Sequence, residues 1–141
     1  MREDKGEPVA RRKSRTLTEV ELAFMEVVWD SGEATSETVQ KGLRCCGRPL
    51  ADGSVRKVLG ILEAKGYLDR RPQGHGYVYW ATVPRDKARR SMVQDLVDRA
   101  FGGSAALMVA ALLGSDAVRR KELDQIKRLI AGREKGEDHE R

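Results

Sequence analysis

Apolar positions recur at helical spacing along the first half of the chain. Thr18-Glu19-Val20-Glu21 fits a capping box, with a Thr at the cap and a Glu three positions on. Behind it Val20, Phe24, Val27 and Val28, joined by Leu22, Met25 and Trp29, form a wide apolar face, and Glu19, Glu21, Glu26 and Asp30 are left outside. This predicts a first helix ending near Asp30-Ser31-Gly32. Thr35 and Ser36 cap a short second helix to about Leu43, with Val39 and Leu43 inward. Residues 44–51 carry Cys, Gly and Pro and read as a connection. Asp52 caps a third helix, whose Val55, Val58, Leu59 and Leu62 stand at i, i+3, i+4 and i+7. Gly66, after Lys65, is a typical stop.

The period shortens beyond Gly66. Tyr67 to Arg71 and Tyr77 to Thr82 are β-prone, and Pro72-Gln73-Gly74-His75-Gly76 between them predicts a hairpin with a glycine-rich tip. Pro84 ends it. A long helix follows over about Arg85 to Ala100, with Met92, Val93, Leu96, Val97 and Ala100 on its apolar side. Gly102-Gly103 breaks it, and Ala105 to Leu113 forms a helix apolar almost all round. Ser115 or Asp116 opens a last helix with Val118, Leu123, Ile126 and Leu129 or Ile130 inward, and a charged tail frays from Arg133. The expected class is mainly α with a small β-hairpin. The expected domains are a disordered basic arm (1–16), a helical-plus-hairpin domain (17–83), a helical region (84–132) and the tail (133–141).

Composition narrows the classes. The chain has 141 residues, 40% hydrophobic and 35% charged, enough for one modest core or two very small ones. The run Ala105 to Leu113 is short of the ~20 residues that span a bilayer, and the charged N-terminus lacks an apolar signal segment, so a cytoplasmic location is expected. The adjacent pair Cys45-Cys46 bridges only with strain and, with just His75 and His139 as histidines, falls short of a structural zinc site. No metal or cofactor is expected. The net charge of +5 is unevenly spread: +3 over residues 1–16, −5 over 17–43, +7 over 44–90 and zero over 91–141. Arg11, Arg12, Lys13 and Arg15 charge the arm. Such segregation suits a polyanion, because each neutralised phosphate releases counterions.

Three helices followed by a hairpin is the order of a winged helix-turn-helix, in which the third helix enters the major groove of a duplex. That helix must be apolar on one side and able to hydrogen-bond on the other. Opposite the Val55/Val58/Leu59/Leu62 stripe lie Gly53, Lys57, Gly60 and Ala64, flanked by Ser54, Arg56 and Ile61. Small residues let the helix approach the bases, and Ser54, Arg56 and Lys57 supply donors. The free N–H groups near Thr35 and Ser36 suit a phosphate. Arg70, Arg71 and His75 put charge and a donor on the hairpin. The C-terminal helices cannot bury an all-apolar middle member alone, which points to an interface between copies through Met92, Leu96, Phe101, Leu107, Met108, Leu112 and Ile126.

The residues resemble the penicillinase and methicillin-resistance repressors, the BlaI/MecI/CopY family. Leu17-Thr18 through Val28-Trp29 looks like its first helix. Ser54-Val55-Arg56-Lys57-Val58-Leu59, then Leu62-Glu63-Ala64-Lys65-Gly66-Tyr67-Leu68, is similar to its recognition-helix signature. Tyr77, Tyr79 and Trp80 match its wing aromatics, Phe101-Gly102-Gly103 its aromatic-Gly-Gly junction, and Lys121-Glu122-Leu123 its closing helix. The resemblance covers about residues 17–131 and implies a homodimeric repressor of an inverted-repeat DNA operator. It also implies induction through a membrane sensor-protease pathway. Lys57 stands where the family has Thr and Ile61 where it has Arg, so the family's operator does not carry over. The family's cleavage position falls on Ala111-Leu112 rather than Asn-Phe, and the tail lacks the cysteines of the copper-sensing members.

A winged helix also serves as a protein-interaction module, here with an acidic partner. An enzyme is not expected: the sequence offers no nucleophile–base pair and no phosphate loop, and Gly74-His75-Gly76 lies between strands rather than before a helix.

Overall fold

A computed structural model describes residues 16–140, with side chains to residue 136. The basic arm, with Arg11, Arg12, Lys13 and Arg15, lies outside the described residues, as do the side chains of the last five. The elements are α1 (Glu19–Ser31), β1 (Glu33–Thr35), α2 (Ser36–Cys45), α3 (Asp52–Ala64), β2 (Leu68–Gln73), β3 (Gly76–Ala81), α4 (Arg85–Ala100), α5 (Ala105–Leu113) and α6 (Arg120–Glu140). The fold is mainly helical with one small antiparallel sheet in the order β1-β3-β2, a winged helix. The chain divides into two compact units at Asp95/Leu96.

In the first unit Phe24, Met25 and Val28 of α1 meet Val39 and Leu43 of α2 and Val55, Leu59 and Leu62 of α3. Leu17, Tyr67, Leu68, Tyr79 and Ala88 complete this core. Val58, expected inward, is partly buried at its edge, as are Val20, Leu22, Val27 and Trp29. At Gly42 α2 passes close to α1: a Cβ there would meet the Val27 methyl groups at 2.8 and 2.9 Å. Met92, expected at an interface, packs partly buried against this core.

The capping box forms as read from sequence. Glu21 N–H donates to Thr18 Oγ1 (3.1 Å), and Thr18 N–H donates to Glu21 Oε1 (2.9 Å). Glu21 itself is not outside, however. It is buried, with Lys65 Nζ 2.6 Å from the same Oε1, and Lys65 also donates to Thr16 O at 3.1 Å. The side chains of Glu21 and Lys65 keep only 8% and 11% of their exposure. Helical periodicity placed Glu21 with the exposed acids because its partner lies 44 residues away.

The end of α3 follows from Gly66. Tyr67 N–H donates to Leu62 O and Gly66 N–H to Glu63 O, both at 3.0 Å, a Schellman ending in which Gly66 takes φ 85°. Tyr67 and Leu62 are both buried beneath it. The start of α3 differs from expectation: Ala51 is the N-cap, without a side-chain hydrogen bond, and Asp52 is the first helical residue. Asp52 instead pairs one turn along with Arg56.

The hairpin is tighter than expected. Pro72 and Gln73 belong to β2, opposite Tyr77 and Gly76, so the turn is Gly74-His75. Pro72 is tolerated because β2 is an edge strand, where a missing N–H breaks no ladder. Three-residue β1 is too short to show an alternation and is absent from the sequence reading; it pairs Glu33, Ala34 and Thr35 with Trp80, Tyr79 and Val78. Trp29 Nε1–H donates to Val83 O at 2.9 Å, and Arg85 bridges Glu26 and Asp30, fastening the exit of the wing to α1.

In the second unit α5 has the bounds expected and is capped by Ser104, whose Oγ accepts from Leu107 N–H at 3.1 Å. α6 starts at Arg120 rather than near Ser115, whose hydroxyl holds a turn by accepting from Ala117 N–H. α6 continues to Glu140, beyond the expected fraying point. Leu129 and Ile130, one of them expected inward, are both exposed. Among the described residues no single helix is long and apolar enough to cross a membrane.

Breaking a buried ion pair from one side leaves an uncompensated charge. Lys65→Met should lower the unfolding free energy by about 3 kcal/mol. Adding Glu21→Leu should restore a large part of it despite the lost cap, as read by denaturant unfolding in a double-mutant cycle.

Candidate nucleic-acid interface

The buried stripe of α3 fixes which residues point away from the core. Val55, Leu59 and Leu62 are fully buried, so Gly53, Ser54, Arg56, Lys57, Gly60, Ile61 and Ala64 are all exposed. Lys57 has no partner among the described residues. Arg56 Nε lies 3.2 Å from Asp52 Oδ2 on the same helix. An interior helical glycine costs about 0.5–1 kcal/mol relative to Ala. A Cβ on Gly60 would meet nothing within 4 Å, so internal packing does not require its lack of a side chain.

Gly60 opens instead onto a cleft of about 200 Å³, lined by Ser36, Arg56, Gly60, Arg70, His75, Gly76, Tyr77 and Tyr79. Four of the residues read from sequence thus converge from three elements: Ser36 at the start of α2, Arg56 on α3, and Arg70 and His75 on the hairpin. Thr35 does not join them. It is the N-cap of α2, and its Oγ1 accepts from Thr38 N–H at 3.1 Å and shares a hydrogen bond with Thr38 Oγ1. Its hydroxyl occupies one of the helix N–H groups expected to be free.

Successive residues of β2 face opposite ways, and the two arginines have different surroundings. Arg70 stands opposite Tyr79, with Nε 3.3 Å from Glu63 Oε2 and its guanidinium carbon 3.9 Å from the centre of the Tyr77 ring. Tyr79 first, and then Glu63, favour its charged form. Arg71 makes a two-pronged pair with Glu33 of β1: its two terminal nitrogens are each 3.0 Å from one carboxylate oxygen. Its guanidinium carbon is 5.5 Å from the Trp80 ring centre. The hydrogen bond from Arg71 holds the Glu33 carboxyl below the usual carboxylate range. Neither arginine is a free cation on a solvated strand.

A second concavity, lined by Thr35, Glu37, Thr38, Gln40, Lys41 and Arg44, lies along α2. Lys41 and Arg44 were not among the residues singled out from sequence. The signal was available: with Val39 and Leu43 inward, Glu37, Lys41 and Arg44 at i, i+4 and i+7 share an outer face. Cys45 and Cys46 are free and exposed at the end of this helix.

The C-terminal unit carries a different kind of surface. None of the nine apolar residues of α5 is buried; Leu107 is 58% exposed, and Val109, Leu112 and Leu113 are also open. Leu96 and Leu129 are exposed, the latter at 73%. Phe101, Met108 and Ile126 are half-buried. Val97, by contrast, is buried.

The sequence pattern of the penicillinase repressor family matches residues 17–132. An uncharacterised 16.5 kDa protein in the ptsI 3′ region of Latilactobacillus sakei is 26% identical over 117 residues, 83% of this chain and 80% of that one. Among solved structures, the DNA-binding domain of the repressor BlaI matches 50% of this chain and 85% of its own length at 22% identity, with a TM-score of 0.45. RosR in the hsRosR-S4 complex matches 90% of this chain and 97% of its own length at 16% identity, with a TM-score of 0.50, a likeness of fold. The chain belongs to the penicillinase repressor (BlaI/MecI/CopY) family and is a transcriptional regulator.

The lowered Glu33 carboxyl sets a sign for pH. Its pairing with Arg71 is complete above the ordinary glutamate range, about 4.3, and is lost as pH falls through the lower folded value. An NMR titration of Glu33 should give a midpoint below that range, and Arg71→Gln should return it there.

Proposed function

We propose that this regulator is a dimeric repressor that binds an inverted-repeat operator, with residues 53–65 as its reading helix and residues 68–81 as its wing. The observation that carries the reading is the convergence of Ser36, Arg56, Gly60, Arg70 and His75 on one cleft beside an exposed helix face. A major groove admits one helix, and a face of Gly53, Ser54, Lys57 and Gly60 permits close approach and offers donors. Ser54 and Lys57 contact base edges, and Arg56 a base or phosphate. Ser36, Arg70, Arg71 and His75 address the backbone, with Lys41 and Arg44 extending that contact along α2. Thr35 serves by holding the start of α2. Gly60 is a glycine for the duplex rather than for the protein's own packing.

Residues 17–83 form the DNA-binding part in this reading and residues 84–132 the pairing part. The exposed apolar residues of α5 support the pairing, since a second chain would bury them. Leu96, Phe101, Leu107, Met108, Leu112 and Ile126 form that contact; Met92, set against the first unit's core, contributes at most its open edge. A sensor-protease acting on this chain would meet Ala111-Leu112 within α5, where both residues are exposed in the unpaired chain and Leu112 is covered in the proposed dimer.

Selection from a random duplex pool near physiological salt should enrich an inverted repeat, with half-sites ~10–10.5 bp apart or a multiple of that. Lys57→Ala should alter the preferred bases; an equal loss on every duplex would remove Lys57 from base reading. No enriched motif from folded, dimeric protein, with tight binding to an acidic protein instead, would favour the interaction module.

Leu112→Asp should convert the dimer to a monomer in sedimentation velocity, with helical content retained by circular dichroism. An unchanged mass would take α5 out of the interface.

A further inference from the structure

We propose that Glu63 and Glu33 are specificity determinants: their carboxylates occupy the wing arginines in place of phosphate and so suppress binding to arbitrary duplex. The inference rests on the DNA-reading function proposed above. It starts from the pairing of charges on α3 and on the wing. Arg56 has Asp52 at 3.2 Å, Arg70 has Glu63 at 3.3 Å and Arg71 has Glu33 at 3.0 Å. The Asp52–Arg56 pair is an ordinary contact within one helix. The other two are made by the fold. Glu63 reaches Arg70 from α3, and Glu33 reaches Arg71 from β1, 38 residues away in sequence.

The chemistry of the pairs makes them competitors of DNA. A guanidinium fork fits a carboxylate and a phosphate by the same geometry, so the two compete for the edge it presents. Arg71 has both prongs on Glu33. Arg70 is held by Glu63 at one edge and lies over Tyr77. A duplex phosphate that takes an occupied edge displaces the carboxylate and then sits beside the anion it has displaced. The surplus of positive charge in residues 44–90 is therefore only partly available to a polyanion. Exposed ion pairs of this kind add little to stability, so holding the fold together is a weak account of both. Discrimination is a difference between two affinities, and lowering the unwanted one is a direct way to enlarge it. At the correct site, base contacts from α3 offset the exchange; on arbitrary duplex nothing does.

The test measures fluorescence anisotropy of the full chain with a random-sequence 30-bp duplex (about that length) and with the duplex enriched by selection, each across a salt series. Glu63→Gln and Glu33→Gln should each tighten binding to the random duplex about three- to tenfold, and steepen the salt dependence by roughly 0.9 in log–log slope for each arginine freed. Affinity for the enriched duplex should rise less, so the ratio of the two falls. Asp86→Asn, which removes the same charge from an exposed site on α4, should change the random-duplex affinity less than either. Arg70→Gln placed on Glu63→Gln should abolish the gain, and thermal melting identifies any variant that does not fold. A folded Glu63→Gln and a folded Glu33→Gln with wild-type affinity and slope, or gains matched by Asp86→Asn, would overturn the inference and leave the DNA-reading proposal standing. Absence of duplex binding by the wild type at every salt concentration, and by the variants, would overturn both.

Discussion

The contact between Glu21 and Lys65 is the fixed point of the first unit. One carboxylate oxygen closes the capping box of α1 and receives the ammonium group from the end of α3. Lys65 also reaches Thr16 O, just before α1. The start of the first helix and the end of the third are thereby tied at one corner, where the chain turns through Gly66 into the wing. Tyr67 and Gly66 continue that corner: Thr82 N–H donates to Tyr67 O at 2.9 Å, and Thr82 Oγ1 to Gly66 O at 2.7 Å. The end of α3 and the start of the wing are joined there. Polar groups held at this depth favour one arrangement over near alternatives because every other pairing strands a charge.

With that corner fixed, the outer surface is free to be shaped by electrostatics. Counting side chains suggests a strongly basic block, but geometry divides it into cations already paired and cations that are not. Lys57, on the outer face of α3, is unpaired among the described residues, whereas Arg56, Arg70 and Arg71 each carry a carboxylate. Lysine is a hydrated point charge on a flexible stem, suited to searching, and arginine a rigid fork suited to registration. A face that presents the first openly and the second conditionally separates loose contact from committed contact.

Much of this was legible in the sequence because it is local. The capping box at Thr18, the stripe on α3, the stop at Gly66 and the apolar helix at Ala105 to Leu113 each depend on residues within a turn or two of one another. What escaped depends on residues far apart. Glu21 has the spacing of an exposed acid, and only the arrival of Lys65 makes its burial tolerable. The strand at Glu33–Thr35 has too few residues to alternate and exists because β3 offers it a partner. Arg71 looks solvated until β1 brings Glu33 to it. The same holds for the candidate site: Ser36, Arg56, Arg70 and His75 were nameable one by one, but their cleft belongs to the tertiary fold. Thr35 has the position of a phosphate contact but is spent as the cap of its own helix, a role the local pattern also allows.

The two units solve burial in opposite ways. The first encloses Phe24, Met25, Leu43, Leu59 and Leu62 completely within its own chain. The second leaves Leu107, Leu112, Leu113 and Leu129 open, the surface on which the proposed pairing rests. In the proposed dimer this asymmetry has a functional consequence. A reading face whose arginines are internally neutralised binds one half-site weakly, and linking two such faces makes the second contact effectively intramolecular. Affinity for the operator then depends steeply on the C-terminal contact, while the choice of bases depends on α3. Whatever loosens the apolar pairing releases DNA without altering a single residue that reads it, and the chain keeps selectivity and control on separate surfaces.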